Sequence, residues 1–201
     1  MPWVAGVDGC KTGWFAVFYN QSIDKFAWDV FPAFLDIVSH ELAPSIVGVD
    51  VPIGLLDTTQ TGGRDCDMEA RKLLGYPRAS SVFSPPVRSA VFFESYEEAN
   101  AANRLSSDAS IGISKQCFSI IPKIREVDQL ITPKIQNTVK EVHPELCFWK
   151  MAGNVPTKYA KKKAKGFEER VTLIGNHGLA RVLALSCVDG PVSARDNFDW
   201  C

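Results

Sequence analysis

Two aspartates in this chain stand at the ends of short apolar runs. Asp8 closes Val4-Ala5-Gly6-Val7, and Asp50 closes Ile46-Val47-Gly48-Val49. A breaker follows each of them, Gly9 in the first case and Pro52 in the second. If the two runs are neighbouring parallel strands, both carboxylates open at one edge of the sheet. Carboxylates at such range raise each other's pKa unless a cation neutralises them. Hard oxygen ligands of this kind suit Mg2+ or Mn2+. The plainer alternative is that each aspartate caps a loop. Asp196 and Asp199 are three apart and share a face if their segment is helical. His143 has a side-chain pKa near neutrality, which suits shuttling a proton or orienting water. Its plainer role is a hydrogen bond to backbone at a strand end.

The elements that must position these residues follow from periodicity. Gly9 and Gly13 punctuate the turn between the first run and a second, Trp14 to Tyr19, so the pair reads as a β-hairpin. Strands are expected over 3–8, 14–19 and 25–31. Phe31, Phe34, Leu35, Val38 and Leu42 recur at helical spacing, with Pro32 suited to a first turn. Ser45 to Asp50 is the fourth strand, and a helix between two strands implies a parallel crossover. Residues 55–136 read as a helical insertion on this sheet. It holds a helix from Asp65 to Leu74 stopped by Gly75, and a long Pro- and Ser-rich loop over 77–88. A helix entered through a Ser95–Glu98 capping box follows, then one started or kinked by Pro122. Thr138 to Val142 reads as a strand that turns into a helix at His143-Pro144-Glu145. A last clear helix is expected from Phe167 to Ile174, with an apolar segment from Leu179 to Cys187.

Charges on these elements allow two readings. Arg64, Asp67 and Arg71 fall on one face, either as a solvated ion-pair surface or as guanidinium groups aimed at phosphate. Lys158, Lys161, Lys162, Lys163 and Lys165 form the only basic run, either a solvated face or a contact for a substrate backbone.

Composition bounds the rest. At 201 residues and 46% hydrophobic, the chain reads as a single domain over 1–201. A formal net charge of -1 gives no general attraction to polyanions, so a nucleic-acid contact would need local basic patches. No apolar run reaches the roughly 20 residues that span a bilayer, and the start carries no basic segment ahead of an apolar one. A soluble chain with no membrane contact is therefore expected. Six scattered cysteines without a CxxC pair argue against a zinc site or a disulfide framework, and for a reduced, cytoplasmic setting. Phe198 and Trp200 suggest that the last segment packs. A final helix that short would be unusual, so the natural chain is expected to continue past Cys201.

Three strands, a helix and a fourth strand, with acids on strands one and four, resemble the α/β ribonuclease H-like fold: a mixed central sheet with flanking helices. The motifs GVDGCKTGW, DVPIGL, RDCDMEAR, SSVFSPP, PKIREVD and EVHPEL resemble domain-of-unknown-function family 429, whose members are labelled predicted nucleases of that fold. The resemblance implies that Asp8 and Asp50 are metal ligands and that Asp196 and Asp199 are the final-helix acids. It also places Glu141 and Glu145 in a catalytic Glu-x-His-Pro-Glu stretch around His143. It implies a Mg2+- or Mn2+-dependent nuclease with nucleic acid as substrate. In such chemistry two ions about 3.5–4 Å apart activate water and stabilise the phosphorus oxygens. Lys11, Arg64, Arg71, Arg78 and Lys123 are the candidate phosphate binders. The alternatives are a catalytically silent scaffold for nucleic acid or protein, and a phosphotransferase of the actin and sugar-kinase group. The latter needs a second copy of the fold that the sequence does not show.

Overall fold

A computed structural model describes residues 2–179. The alternation in the first run makes β1 (Val4–Cys10), with Ala5 and Val7 buried and Val4, Gly6 and Asp8 on the other side. β2 (Gly13–Asn20) and β3 (Lys25–Phe31) complete an antiparallel meander. β1 pairs with β2 from Val4↔Tyr19 to Cys10↔Gly13, and β2 with β3 from Trp14↔Phe31 to Asn20↔Lys25. After α1 (Phe34–Val38) the chain returns as β4 (Ile46–Val49), parallel to β1. β5 (Val139–Glu141) adds parallel to β4. The five-stranded mixed sheet has the order β3-β2-β1-β4-β5.

Four helices lie between β4 and β5: α2 (Asp65–Arg78), α3 (Tyr96–Leu105), α4 (Lys115–Ser119) and α5 (Ile121–Leu130). Gly75, at a φ of 59°, interrupts α2 where a stop is expected. Glu98 N donates to Ser95 Oγ at 3.2 Å, so Ser95 caps α3, but Glu98 Oε2 takes the Ser95 hydroxyl at 2.6 Å, not the backbone N–H that a full capping box uses. Pro122 sits in the first turn of α5. After β5 come α6 (Pro144–Met151) and α7 (Ala164–Asn176). Several bounds differ from expectation. α2 resumes after Gly75 and runs to Arg78, into the segment expected as a loop. α1 ends at Val38 rather than reaching Leu42: Ser39 leaves helical geometry at φ −98° and ψ 11°, the His40 ring takes Leu42 N at 3.2 Å, and Ala43 turns the chain at a φ of 43°. α7 begins three residues before Phe167.

One face of the sheet carries the main core. Ala5, Val7, Trp14, Ala16, Phe18, Val47 and Val49 pack there against Phe34 and Ile37 of α1 and Ile121, Ile124 and Val127 of α5. A single carboxylate ties the three elements. Glu126 of α5 accepts from Trp14 Nε1 at 2.9 Å and from Phe34 N at 2.6 Å. A smaller cluster joins Ala70, Leu74 and Val82 to Leu146 and Trp149, holding α2 against α6. Among the described residues no helix is long and apolar enough to cross a membrane.

The hairpin that orients Asp8 depends on Gly13. Its φ is +147°, and a Cβ there would stand 2.0 Å from Phe31 O. Gly13→Ala is expected to lower the unfolding free energy by about 2–3 kcal/mol, measured by urea denaturation. A change within 0.5 kcal/mol (about the spread of neutral surface substitutions) would contradict this.

Candidate functional site

Register brings the two aspartates together. Val7 of β1 lies opposite Val49 of β4, and Asp50 N donates to Val7 O at 3.1 Å. Asp8 and Asp50 therefore leave adjacent parallel strands at one level. Successive side chains alternate across a sheet. Since Val7 and Val49 face the core, the two carboxylates share the opposite face. Asp8 Oδ1 accepts from Gly9 N at 2.7 Å. Asp8 keeps broad contact with solvent, while Asp50 is half-buried.

The electrostatics follow from this crowding. Burial first, and then the Asp8 charge, push the Asp50 carboxyl from its usual 3.8 up to about 7; Lys161 works against the rise and Glu141 adds to it. Burial also raises Asp8, opposed by the Gly9 N–H and by Lys161. α6 walls the site through Cys147, whose thiol is pushed up by burial and then by the Asp50 charge.

Glu141 stands beside Val49 in the register, so it leaves the sheet on the other face from Asp50. Its carboxylate is fully engaged there. Oε1 accepts from Arg64 Nη2 at 2.7 Å, and Oε2 from Arg64 Nη1 at 2.7 Å and Ile53 N at 2.8 Å. Arg64 also forks onto buried Asp67 through Nε and Nη2, and Nη1 reaches Ile53 O at 2.6 Å. Burial disfavours this guanidinium's charge, but Glu141 and Asp67 outweigh it and push its pKa up. Among the described residues no three His, Cys, Asp or Glu side chains are arranged to hold one metal ion.

The family model described as "Protein of unknown function (DUF429)" matches residues 6–199. The chain belongs to that family. Neither a curated protein nor a solved structure matches it.

The other expected site residues are placed as follows. Asp196 and Asp199 lie outside the described residues. Glu145 is buried, with Oε1 accepting from Arg170 Nη2 at 2.6 Å and Oε2 from Thr157 Oγ1 at 3.0 Å. It is not among the groups that act on Asp50. His143 Nε2 lies 3.3 Å from Ser81 O, and its Nδ1 is buried without a partner. Lys11 stands exposed on the β1–β2 turn. Arg64 is neither solvated nor presented to phosphate: all its donors are engaged inside the protein, because the partner that turns it inward is 77 residues away in sequence. Arg71 donates to Val82 O at 2.9 Å and to Gly62 O, stitching α2 to two loops. Arg78 is half-buried at the end of α2, with Nε lacking a partner. Lys123 packs its stem beside Gly9 and sets its ammonium 4.5 Å from the centre of the Trp14 ring. The cation that acts on both aspartates is instead Lys161. The lysine run was its only sequence signal.

Two outcomes follow. Arg64→Met would strand Asp67 in the interior, and it should cost about 3–5 kcal/mol in chemical denaturation; a loss below 1 kcal/mol, roughly the value of a surface pair, would show that the bridge is dispensable. Asp50 gives a pH dependence. Its folded pKa lies above its unfolded one, so its contribution to stability is full below pH 3.8 and is lost as pH rises through about 7. That contribution is at most about 4 kcal/mol and is reduced by solvent access. The stability of metal-free wild type relative to Asp50→Asn should therefore fall between pH 4 and 8. Parallel curves for the two proteins would refute the assignment.

Proposed function

We propose that the protein is a divalent-metal-dependent nuclease built on a ribonuclease H-like sheet. The observation that carries this reading is the pair Asp8 and Asp50, set side by side on adjacent parallel strands in a partly buried place that disfavours their charge. The strand order, with two antiparallel strands on one side of β1 and two parallel ones on the other, supports the fold assignment. The donor set fits a hard cation. Two carboxylates share one face, and burial, which Lys161 only partly offsets, raises the pKa of both. Asp8 and Asp50 would hold Mg2+ or Mn2+, with Asp196 and Asp199 as the expected further ligands. When bound, the metal supplies Lewis acidity and a deprotonated water for phosphodiester hydrolysis. The chain's own part is to fix both carboxylates by sheet register and to present them on an open side. A reduced, cytoplasmic setting agrees with four free cysteines among the described residues.

A second reading, a catalytically silent scaffold for nucleic acid, is favoured by one observation. Glu141 is occupied by Arg64, so the described residues offer only two free carboxylates at the strand ends.

The test is a panel of single-stranded RNA, single-stranded DNA, RNA–DNA hybrid and four-way junction with Mg2+ or Mn2+. Cleavage of at least one substrate should stop with EDTA and fall at least about 100-fold in Asp8→Asn and in Asp50→Asn, since displaced ligands misplace the reacting groups. Cleavage that survives EDTA, or its absence with metal-loaded wild type, would leave the scaffold.

A further inference from the structure

The sheet ends on one side at β3, a seven-residue strand whose only ladder partner among the described residues is β2. The outer backbone groups of such a strand are an edge to which another strand can add. Edges are blunted by proline, by a bulge, by shortness or by charge. β3 has no proline, and it pairs with β2 without a break from Trp14↔Phe31 to Asn20↔Lys25. The other edge, β5, has only three residues. What guards β3 is charge. Lys25 and Asp29 are four apart, so they stand on one face of the strand with Ala27 between them. Both are exposed, and neither forms an ion pair within 4 Å among the described residues.

That pair of opposite charges opposes some self-pairings and favours one. Two copies meeting edge to edge about a two-fold axis run antiparallel, with the same residue of each at the centre. Residues set opposite each other must share a face, so the centre falls on a residue and not between two. Centring on Lys25 sets lysine against lysine, and centring on Asp29 sets aspartate against aspartate. Like charges directly opposite are destabilising. Centring on Phe26 or Trp28 sets each charge against an apolar residue. Centring on Ala27 sets Lys25 of each copy against Asp29 of the other, twice, and only methyl groups meet at the axis. On the other face it sets Phe26 against Trp28 of the second copy, an aromatic cross-strand pair. Each ring already lies against one on β2: Phe26 stacks on Tyr19 at 4.3 Å between centres, and Trp28 lies 5.9 Å from Phe15. Just past the paired stretch, Asp29 Oδ1 takes Val30 N at 2.7 Å, which satisfies the next donor within the chain.

We propose that β3 is a self-association edge, through which two copies of this chain pair antiparallel over residues 25–29, centred on Ala27. The occupant is a second copy because the strand's charges are complementary to themselves in that register. The two five-stranded sheets become one. Five residues from each copy make a small contact, at the weak end of specific interfaces, with a Kd on the order of 10 μM. The inference does not rest on the nuclease reading.

The experiment is sedimentation equilibrium of the full chain in EDTA, so that no metal bridges the copies. Wild type is compared with Lys25→Glu, Asp29→Lys, an equimolar mixture of those two, and Lys162→Glu, all checked for unchanged circular dichroism. The wild-type mass should rise with concentration from that of one chain towards twice it. Lys25→Glu and Asp29→Lys each set like charges opposite at both ends of the paired stretch, and each should weaken self-association at least about tenfold. Their mixture should return to within about threefold of wild type, because each variant supplies the sign that the other lacks. Lys162→Glu makes the same change in net charge as Lys25→Glu and should stay within about twofold of wild type. A wild-type mass of one chain at about 200 μM would overturn the proposal. So would self-association that Lys25→Glu leaves unchanged, or weakens no more than Lys162→Glu does. Two variants that each stay monomeric and do not associate when mixed would overturn the register centred on Ala27.

Discussion

The parallel pairing of β1 with β4 holds two like charges together against their own repulsion. Val7 and Val49 are locked opposite each other by the ladder and buried in the core. The next residue on each strand has no freedom to diverge. A carboxylate in such a place is either protonated or matched by a cation, and Asp50, pushed up to about 7, stands at the boundary between the two. The hairpin, the Glu126 clamp on Trp14 and α1, and the core below serve this one constraint by keeping β1 where it is.

Two buried guanidinium groups frame the centre from different sides. Arg64 joins β5, α2 and the loop after β4 by binding Glu141, Asp67 and Ile53 O. Arg170 joins α6, α7 and the lysine-rich loop by binding Glu145, Thr157 and Tyr159 O. Each satisfies a buried carboxylate, Asp67 in the first case and Glu145 in the second. Buried pairs of this sort are poor evidence of net stability, because desolvation offsets the attraction, but breaking one partner leaves an uncompensated charge. Their value here is geometric. They divide the acids into those that hold the fold and those left open to a ligand.

That division was the part the sequence concealed. Asp8 and Asp50 were legible because local patterning alone, an apolar run ending in an acid before a breaker, places both at strand ends. The N-cap at Ser95, the break at Gly75 and the prolines at 122 and 144 were legible for the same local reason. Arg64, Glu141 and Glu145 were not, since whether such a side chain faces solvent, substrate or a buried partner depends on residues 77 positions off for Arg64 and 25 for Glu145. Lys161 was visible only as one charge in a run. Its effect on Asp8 and Asp50 is something no spacing rule reports. The end of α1 was missed because the His40 ring captures Leu42 N and Ala43 adopts a positive φ, which hydrophobic spacing does not report.

The most direct observation is the anomalous diffraction of crystals soaked in Mn2+ at pH 8, above the value of about 7 to which Asp50 is pushed. The pairing of β1 with β4 predicts a Mn2+ peak in contact with oxygens of both carboxylates, and no peak there in Asp8→Asn. A peak bound elsewhere with the two aspartates bare, or a peak retained unchanged in Asp8→Asn, would contradict it.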